Sequence, residues 1–116
     1  MTFRTALLAA LLLASPAAFA QQGDVAKGRE LSTTCAACHG PTGAESLDPS
    51  YPVIAGQFAD YLRKALTDYR SGARSNAIMA TQAQPLSDQD IRDLAAFYAS
   101  QPSPLQDLSK VPAIQR

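Results

Sequence analysis

The chain contains two cysteines and one histidine, and all three lie within five consecutive residues. The string reads Cys35-Ala36-Ala37-Cys38-His39. Two thiols separated by two residues can add to the two vinyl groups on one edge of a haem and form thioether bonds. The histidine that follows is carried over the haem face, where its imidazole can coordinate the iron. The spacing predicts one covalent haem c, attached through Cys35 and Cys38, with His39 as an iron ligand.

Other chemistry of paired cysteines fits this sequence less well. A zinc site needs four protein ligands, or three and a water, and the chain holds no second C-x-x-C and no histidine pair. A thioredoxin-like dithiol lies on a βαβ pattern, which is missing here. A structural disulfide between Cys35 and Cys38 is the third alternative. None of these requires a histidine directly after the second cysteine.

Met79 is the candidate for the second axial ligand of the iron. Because His39 is the single histidine, ligation by two histidines of one chain is excluded. The other methionine, Met1, belongs to a predicted leader, so Met79 is the one thioether left after cleavage. Ligation by His39 and Met79 would leave no open iron position, which favours electron transfer over catalysis. The alternative is that Met79 fills a gap in the core, as most buried methionines do.

Residues 1–20 have the pattern of a secretory signal peptide. Arg4 gives a positive start, residues 6–14 are apolar, and the closing Ala-Phe-Ala matches a small-x-small cleavage site. A transmembrane anchor is the alternative, but the apolar run is too short to cross ~30 Å of hydrocarbon. Cleavage after Ala20 would place the protein in the periplasm, without stable membrane insertion.

The charge and the apolar pattern limit the possible partners. The chain carries 10 basic and 10 acidic residues, and loss of Arg4 with the leader leaves a formal charge of −1. Because no basic stripe is present, nucleic acid is not expected as a partner. No large apolar patch can be read from the helical patterns, so we expect a monomer.

Three helical patterns are visible, and no alternating strand pattern of useful length. The first follows Asp24, a suitable N-cap. The second ends at Gly72, and the third runs from a capping box of Ser87 and Asp90 to Pro102. The second pattern has an apolar stripe that comprises Phe58, Tyr61, Leu62, Ala65, Leu66 and Tyr69. The third has a buried face that comprises Ile91, Leu94, Ala95 and Tyr98, with Phe97 beside it.

Prolines and glycines divide the rest of the chain into loops. Residues 40–54 and 73–85 are predicted to be irregular. The segment 102–116 contains three prolines and is predicted to be an extended C-terminal tail. The expected organisation is therefore a signal peptide at 1–20, one haem-binding domain at 21–101, and the tail.

Five strings of residues follow one another in a specific order and spacing. They are GDVAKG from Gly23, CAACHG from Cys35, YPVIAGQ from Tyr51, RSGAR from Arg70 and LSD from Leu86. In this order they resemble a class I cytochrome c, of the small soluble bacterial monohaem type and of one domain of the two-domain dihaem cytochromes. The resemblance covers nearly all of residues 23–101.

The resemblance implies an all-α cytochrome c fold, with three to four main helices and long loops wrapped around one haem. It implies that the first helix crosses the last one, with Gly28 allowing close approach near Tyr98; otherwise Gly28 is a weak point in its helix. It also implies that the Pro52 carbonyl accepts a hydrogen bond from the His39 ring, which fixes the ring; otherwise Pro52 is a turn residue.

Three further polar residues have two interpretations each. Arg70 and Arg74 either neutralise a haem propionate or belong to a solvated helix end. Asn76 either donates a hydrogen bond to the Met79 sulfur or orients the loop around it.

The expected function is that of a periplasmic electron carrier, and not an enzyme. It would pass single electrons from a dehydrogenase or reductase to an oxidase or other acceptor, through the haem edge near Cys35 and Cys38. Two alternatives stay open. One is a dedicated cytochrome subunit of a periplasmic oxidoreductase. The other is a haem sensor or peroxidase from which Met79 dissociates, although no distal histidine or catalytic pair is evident.

Overall fold

The computed structural model of the protein describes residues 22–104, so the predicted signal peptide and most of the predicted tail lie outside it. Within this range the chain forms helices joined by loops and contains no strand. The helices are α1 Val25–Leu31, α2 Thr33–His39, α3 Ala59–Ser71, α4 Ala77–Ala83 and α5 Asp88–Ala99. The all-α class predicted from the sequence is confirmed. None of these helices is long and apolar enough to span a membrane.

The helix ends lie where local side-chain chemistry predicts them. The Asp24 carboxylate accepts hydrogen bonds from two backbone amides in the first turn of α1. Ser87 and Asp90 form the predicted capping box at the start of α5, with the Ser87 amide donating to the Asp90 carboxylate at 2.8 Å. Gly72 ends α3 in the left-handed conformation, at φ +82°. All three predictions are confirmed.

The prediction that residues 73–85 are irregular is wrong in part, because α4 lies inside this segment. Asn76 caps the helix, and its side-chain oxygen accepts a hydrogen bond from the Met79 amide at 2.9 Å. The helix has the sequence AIMATQA, in which alanine, methionine and glutamine are strong helix formers. Seven residues are too few for a periodic apolar pattern to be recognised, which is why the sequence did not reveal it.

Helices α1 and α5 cross in close contact, and the crossing requires Gly28. A Cβ atom on Gly28 would lie 2.0 Å from the Asp93 backbone oxygen and 2.7 Å from the Phe97 Cβ. The predicted close approach is present, at Asp93 and Phe97 next to Tyr98. The Asp93 carboxylate also accepts a hydrogen bond from the Asp24 amide at 2.8 Å, which ties the start of α1 to α5. The core that α5 shares with α3 contains Leu62, Leu94, Ala95, Phe97 and Tyr98.

The apolar stripe of α3 is only partly covered by protein. Leu62 is buried and belongs to the core, whereas Phe58 is 66% exposed and Tyr61 is 49% exposed. Ile78 on α4, which packs against α3, is 55% exposed as well. This side of the fold therefore presents large apolar side chains that the described protein residues leave uncovered.

Candidate haem site

Helix α2 presents the two cysteines one turn apart. Cys35 and Cys38 are at positions i and i+3, which lie on the same side of a helix. Both are free thiols and half-buried, so the alternative of a disulfide between them is not what the structure shows. Burial raises the pKa of the Cys35 thiol, so this sulfur keeps its proton at neutral pH. Two free thiols on one side of a helix are arranged to meet two groups along one edge of a ligand.

His39 ends α2 and has a fixed ring. The side chain is buried, and its Nδ1 atom lies 2.9 Å from the Pro52 carbonyl oxygen. A carbonyl can only accept a hydrogen bond, so Nδ1 carries the proton and Nε2 is left with its lone pair. The imidazole is therefore held in the tautomer and orientation that a metal ligand needs.

The loop after α2 folds back onto it and delivers Pro52. Gly40 ends α2 at φ +79°, where a Cβ atom would lie 2.2 Å from the Glu45 backbone oxygen. The Leu47 amide then donates to the Cys38 carbonyl at 3.1 Å. Further along, the Ile54 amide donates to the Gly43 carbonyl at 2.9 Å. These bonds hold the loop against the end of α2, as its many turn-forming residues favour.

Two tyrosines that the sequence analysis did not assign to the site lie beside the thiols. Tyr98 of α5 neighbours Cys35, and Tyr51 of the loop neighbours Cys38. Burial raises the pKa of Tyr98, and the neighbouring Cys38 raises that of Tyr51. The sequence held one sign that Tyr98 lies near a polar group. It places a hydroxyl on the predicted buried face of the last helix, and a buried tyrosine hydroxyl usually has a hydrogen-bonding partner.

Met79 belongs to a different element, the short helix α4. It is half-buried, and its backbone is fixed by the hydrogen bond to the Asn76 side chain. The sequence analysis placed Met79 in an irregular loop, and this is wrong because Asn76 starts a helix there. The structure agrees with the second interpretation of Asn76, in which its side chain orients the segment around Met79. It does so by accepting a hydrogen bond from the Met79 amide.

Arg70 and Arg74 both have protein partners. Arg70 donates to the Leu86 carbonyl at 2.8 Å and to the Asp88 carboxylate at 2.5 Å, which links the end of α3 to the start of α5. This arginine holds the pKa of Asp88 below its usual value. The Arg74 guanidinium lies 4.8 Å from the centre of the Tyr69 ring. Arg70 is half-buried in this link between two helices, whereas Arg74 remains exposed to solvent beside Tyr69.

The residues around α2 fit a covalently attached haem. They supply two free thiols on one helix side, an imidazole with one fixed and one available nitrogen, and a buried hydroxyl without a partner at Tyr98. A zinc site does not fit, because residues 22–104 contain no group of three or more histidine, cysteine and acidic side chains that could hold a metal ion.

The fold and this donor set define an all-α protein built to carry one haem c. Comparison with known proteins agrees: residues 25–101 match the family described as cytochrome c. The chain belongs to the cytochrome c family, and its cofactor is one haem bound through Cys35 and Cys38. Electron transfer, and not catalysis of its own, is the function of this family.

Two relatives are matched over nearly their whole length. Cytochrome c-554(548) of Halomonas halodenitrificans is 48% identical over 82 residues, which cover 68% of this chain and 98% of that protein. The cytochrome subunit of sulfide dehydrogenase of Chlorobaculum tepidum is 33% identical over 102 residues, which cover 79% of this chain and 91% of that subunit.

A solved structure shows the same fold in a longer protein. Reduced recombinant cytochrome c4 from Pseudomonas stutzeri superimposes with a TM-score of 0.65 at 37% identity. The match covers 70% of this chain and 47% of the cytochrome c4 chain, so this chain spans about half the length of that relative.

Proposed function

We propose that the protein is a periplasmic carrier of single electrons whose haem iron is held by His39 and Met79. The haem supplies a one-electron couple when it is bound. The observation that carries the proposal is the hydrogen bond between His39 Nδ1 and the Pro52 carbonyl, which leaves only Nε2 to bind a metal.

The chain's own residues have separate tasks in this proposal. Cys35 and Cys38 fix the haem at one edge, so that electrons enter and leave near α2. His39 supplies the imidazole, and the Pro52 carbonyl makes it a more basic ligand. Met79 supplies a thioether, which stabilises ferrous iron and raises the potential. Asn76 holds the backbone of Met79 in place.

The setting of the protein is also part of the proposal. Residues 1–20 direct export and are removed, so the mature protein works in the periplasm as a monomer. Its partners are redox proteins that dock transiently: a dehydrogenase or reductase as donor, and an oxidase or other acceptor. Ala36 and Ala37 between the cysteines are small, which suits close docking over a small area.

Absorption spectroscopy and a redox titration of the purified holoprotein test this proposal. We expect the reduced protein to have a low-spin spectrum, the oxidised protein to show a sulfur-to-iron charge-transfer band, and the titration to give one single-electron transition. Rapid carbon monoxide binding by the reduced protein at neutral pH would contradict it, because a six-coordinate iron has no open position.

A second candidate is a dedicated cytochrome subunit of a periplasmic oxidoreductase. It is supported by the match over 91% of the cytochrome subunit of a sulfide dehydrogenase. Purification from the native host distinguishes the two: a subunit is expected to elute with a larger protein in a complex that survives high salt. A free carrier elutes alone.

A further inference from the structure

Each of the two attachment cysteines has a tyrosine hydroxyl beside it, and the two tyrosines come from different parts of the chain. Cys35 packs against the core cluster that contains Tyr98 of α5, and Tyr51 of the loop that follows α2 neighbours Cys38. The two pairs differ in burial. Tyr98 is only 3% exposed, whereas Tyr51 is half-buried and its ring centre lies 6.4 Å from that of His39.

The Tyr98 hydroxyl is buried and lacks a hydrogen bond of ordinary geometry. Leaving a buried hydroxyl unpaired forfeits its hydrogen bonds to water without replacing them, so such groups are rare without a reason. Its polar neighbours are the side chains of Ser32 and Cys35. Ser32 already gives its hydrogen to the Arg29 carbonyl at 2.8 Å, so towards Tyr98 it can only accept.

Attachment of the haem changes what Cys35 can offer. The thiol S–H adds across the vinyl C=C, so that sulfur bonds to the inner carbon and the hydrogen goes to the outer carbon. This addition consumes no oxidant or reductant. The thioether sulfur that results has no hydrogen and can only accept a hydrogen bond. The same change takes place at Cys38.

We propose that Tyr98 and Tyr51 are positioning residues for the haem sulfurs, with the Tyr98 hydroxyl donating to the Cys35 thioether and the Tyr51 hydroxyl to the Cys38 thioether. Each donor orients its sulfur for attachment and then points the positive end of its dipole towards the haem edge. This dipole favours the reduced haem. The inference rests on the attachment through two cysteines and is independent of the assignment of His39 and Met79, so each can fail without the other.

The test is Tyr98→Phe in the full-length holoprotein, since this change removes only the hydroxyl and keeps the ring. We expect a lower midpoint potential and a shifted C–S stretching band in the resonance Raman spectrum. The low-spin absorption spectrum, which reports the axial ligands, should be unchanged. Tyr51→Phe is expected to give a smaller shift in the same direction, because solvent partly screens the half-buried pair.

The pyridine haemochrome spectrum gives a second readout, because its α band moves to longer wavelength when one vinyl group stays unreacted. We expect Tyr98→Phe to raise the fraction of protein with a single thioether. If Tyr98→Phe yields too little protein, Tyr51→Phe carries the test by the same three measurements.

Two controls separate this role from packing or from general polarity. Thr67→Val removes an exposed hydroxyl that donates to the Arg63 carbonyl on the polar side of α3, and should leave the potential and the C–S band unchanged. Ser32→Ala removes the acceptor that competes with Cys35, so the potential should stay the same or rise. The proposal is wrong if Tyr98→Phe and Tyr51→Phe both keep the wild-type potential and C–S band, or if Ser32→Ala lowers the potential as much as Tyr98→Phe.

Discussion

The two halves of this small fold are packed in different ways. Where α1 crosses α5, backbone meets backbone at Gly28, and Phe97 and Tyr98 are 2% and 3% exposed. On the side of α3 and α4, Phe58 and Ile78 are 66% and 55% exposed. The first half is closely packed by contacts among the described protein residues. The second half carries apolar surface that a bound haem is suited to cover. The core is therefore formed partly by protein folding and partly by cofactor binding.

Among the variants proposed here, His39→Ala is expected to have the largest effect, which is on the yield of haem-loaded protein. Without the imidazole we expect no low-spin, haem-loaded protein to accumulate in cells that have a haem-ligation system. Haem staining and the absorption spectrum measure this. Thr34→Ala, an exposed position on the same helix, is the matched control and should load normally. Normal yields of low-spin protein from His39→Ala would refute the ligand assignment.

Gly28→Ala tests the half of the fold in which α1 crosses α5. The added Cβ would lie 2.0 Å from the Asp93 backbone oxygen, so the two helices must separate. We expect the free energy of unfolding of the holoprotein to fall by about 3 kcal/mol, at the upper end of overpacking costs. Denaturant titration measures it.

Gly72→Ala is the control for Gly28→Ala. A Cβ on Gly72 meets nothing within 4 Å, so only its left-handed backbone, at φ +82°, is strained. This should cost about 1 to 2 kcal/mol. Equal losses in the two variants would show that the crossing of α1 and α5 is not tightly packed.

Met79→Ala tests the half of the fold that contains α3 and α4. We expect the haem to stay attached, the charge-transfer band to disappear, and the reduced protein to bind carbon monoxide stoichiometrically, because one axial position is free. Gln82→Ala is the control, since it shortens an exposed polar side chain on the same helix and should leave the spectrum unchanged. If Met79→Ala keeps the charge-transfer band, another group ligates the iron.

The smallest effect is expected from Ser87→Ala at the start of α5. Loss of the cap should lower the free energy of unfolding by about 1 kcal/mol at neutral pH. Ser50→Ala removes a similar hydrogen bond, to Asp48, in a loop without a helix. It should cost less than about 0.5 kcal/mol. Denaturant titration of both variants tests whether the loss of stability comes from the helix cap or from the loss of a hydrogen bond in general.

The same cap predicts the direction of a pH dependence. Hydrogen bonds from Ser87 lower the pKa of Asp90 in the folded protein. A folded pKa below the unfolded value contributes stability that is present above about pH 4 and is lost as the pH falls below it. Unfolding measured between neutral and acid pH should show this loss in the wild type and a smaller one in Ser87→Ala. An equal loss of stability at acid pH in the wild type and in Ser87→Ala would contradict this prediction.

Much of the fold was predictable because its signals are local. Asp24, Gly72 and Ser87 mark helix ends through bonds to residues only a few positions away, and all three were recognised. Helix α4 was missed because its one strong signal, the cap at Asn76, precedes a segment too short to show periodicity. The partial exposure of the α3 stripe was missed as well, since a stripe shows which face is apolar and not what covers it.

The sequence by itself determined the chemistry: two thiols and an imidazole within five residues specify haem attachment, because the spacing along one turn decides which groups both sulfurs reach. Only the tertiary structure decided what surrounds these atoms. The Pro52 carbonyl at His39, implied by family resemblance, and the tyrosine hydroxyl at Cys35 both depend on how a loop and α5 pack on α2. Contacts between distant residues are set by helix packing and loop closure, which no short spacing encodes.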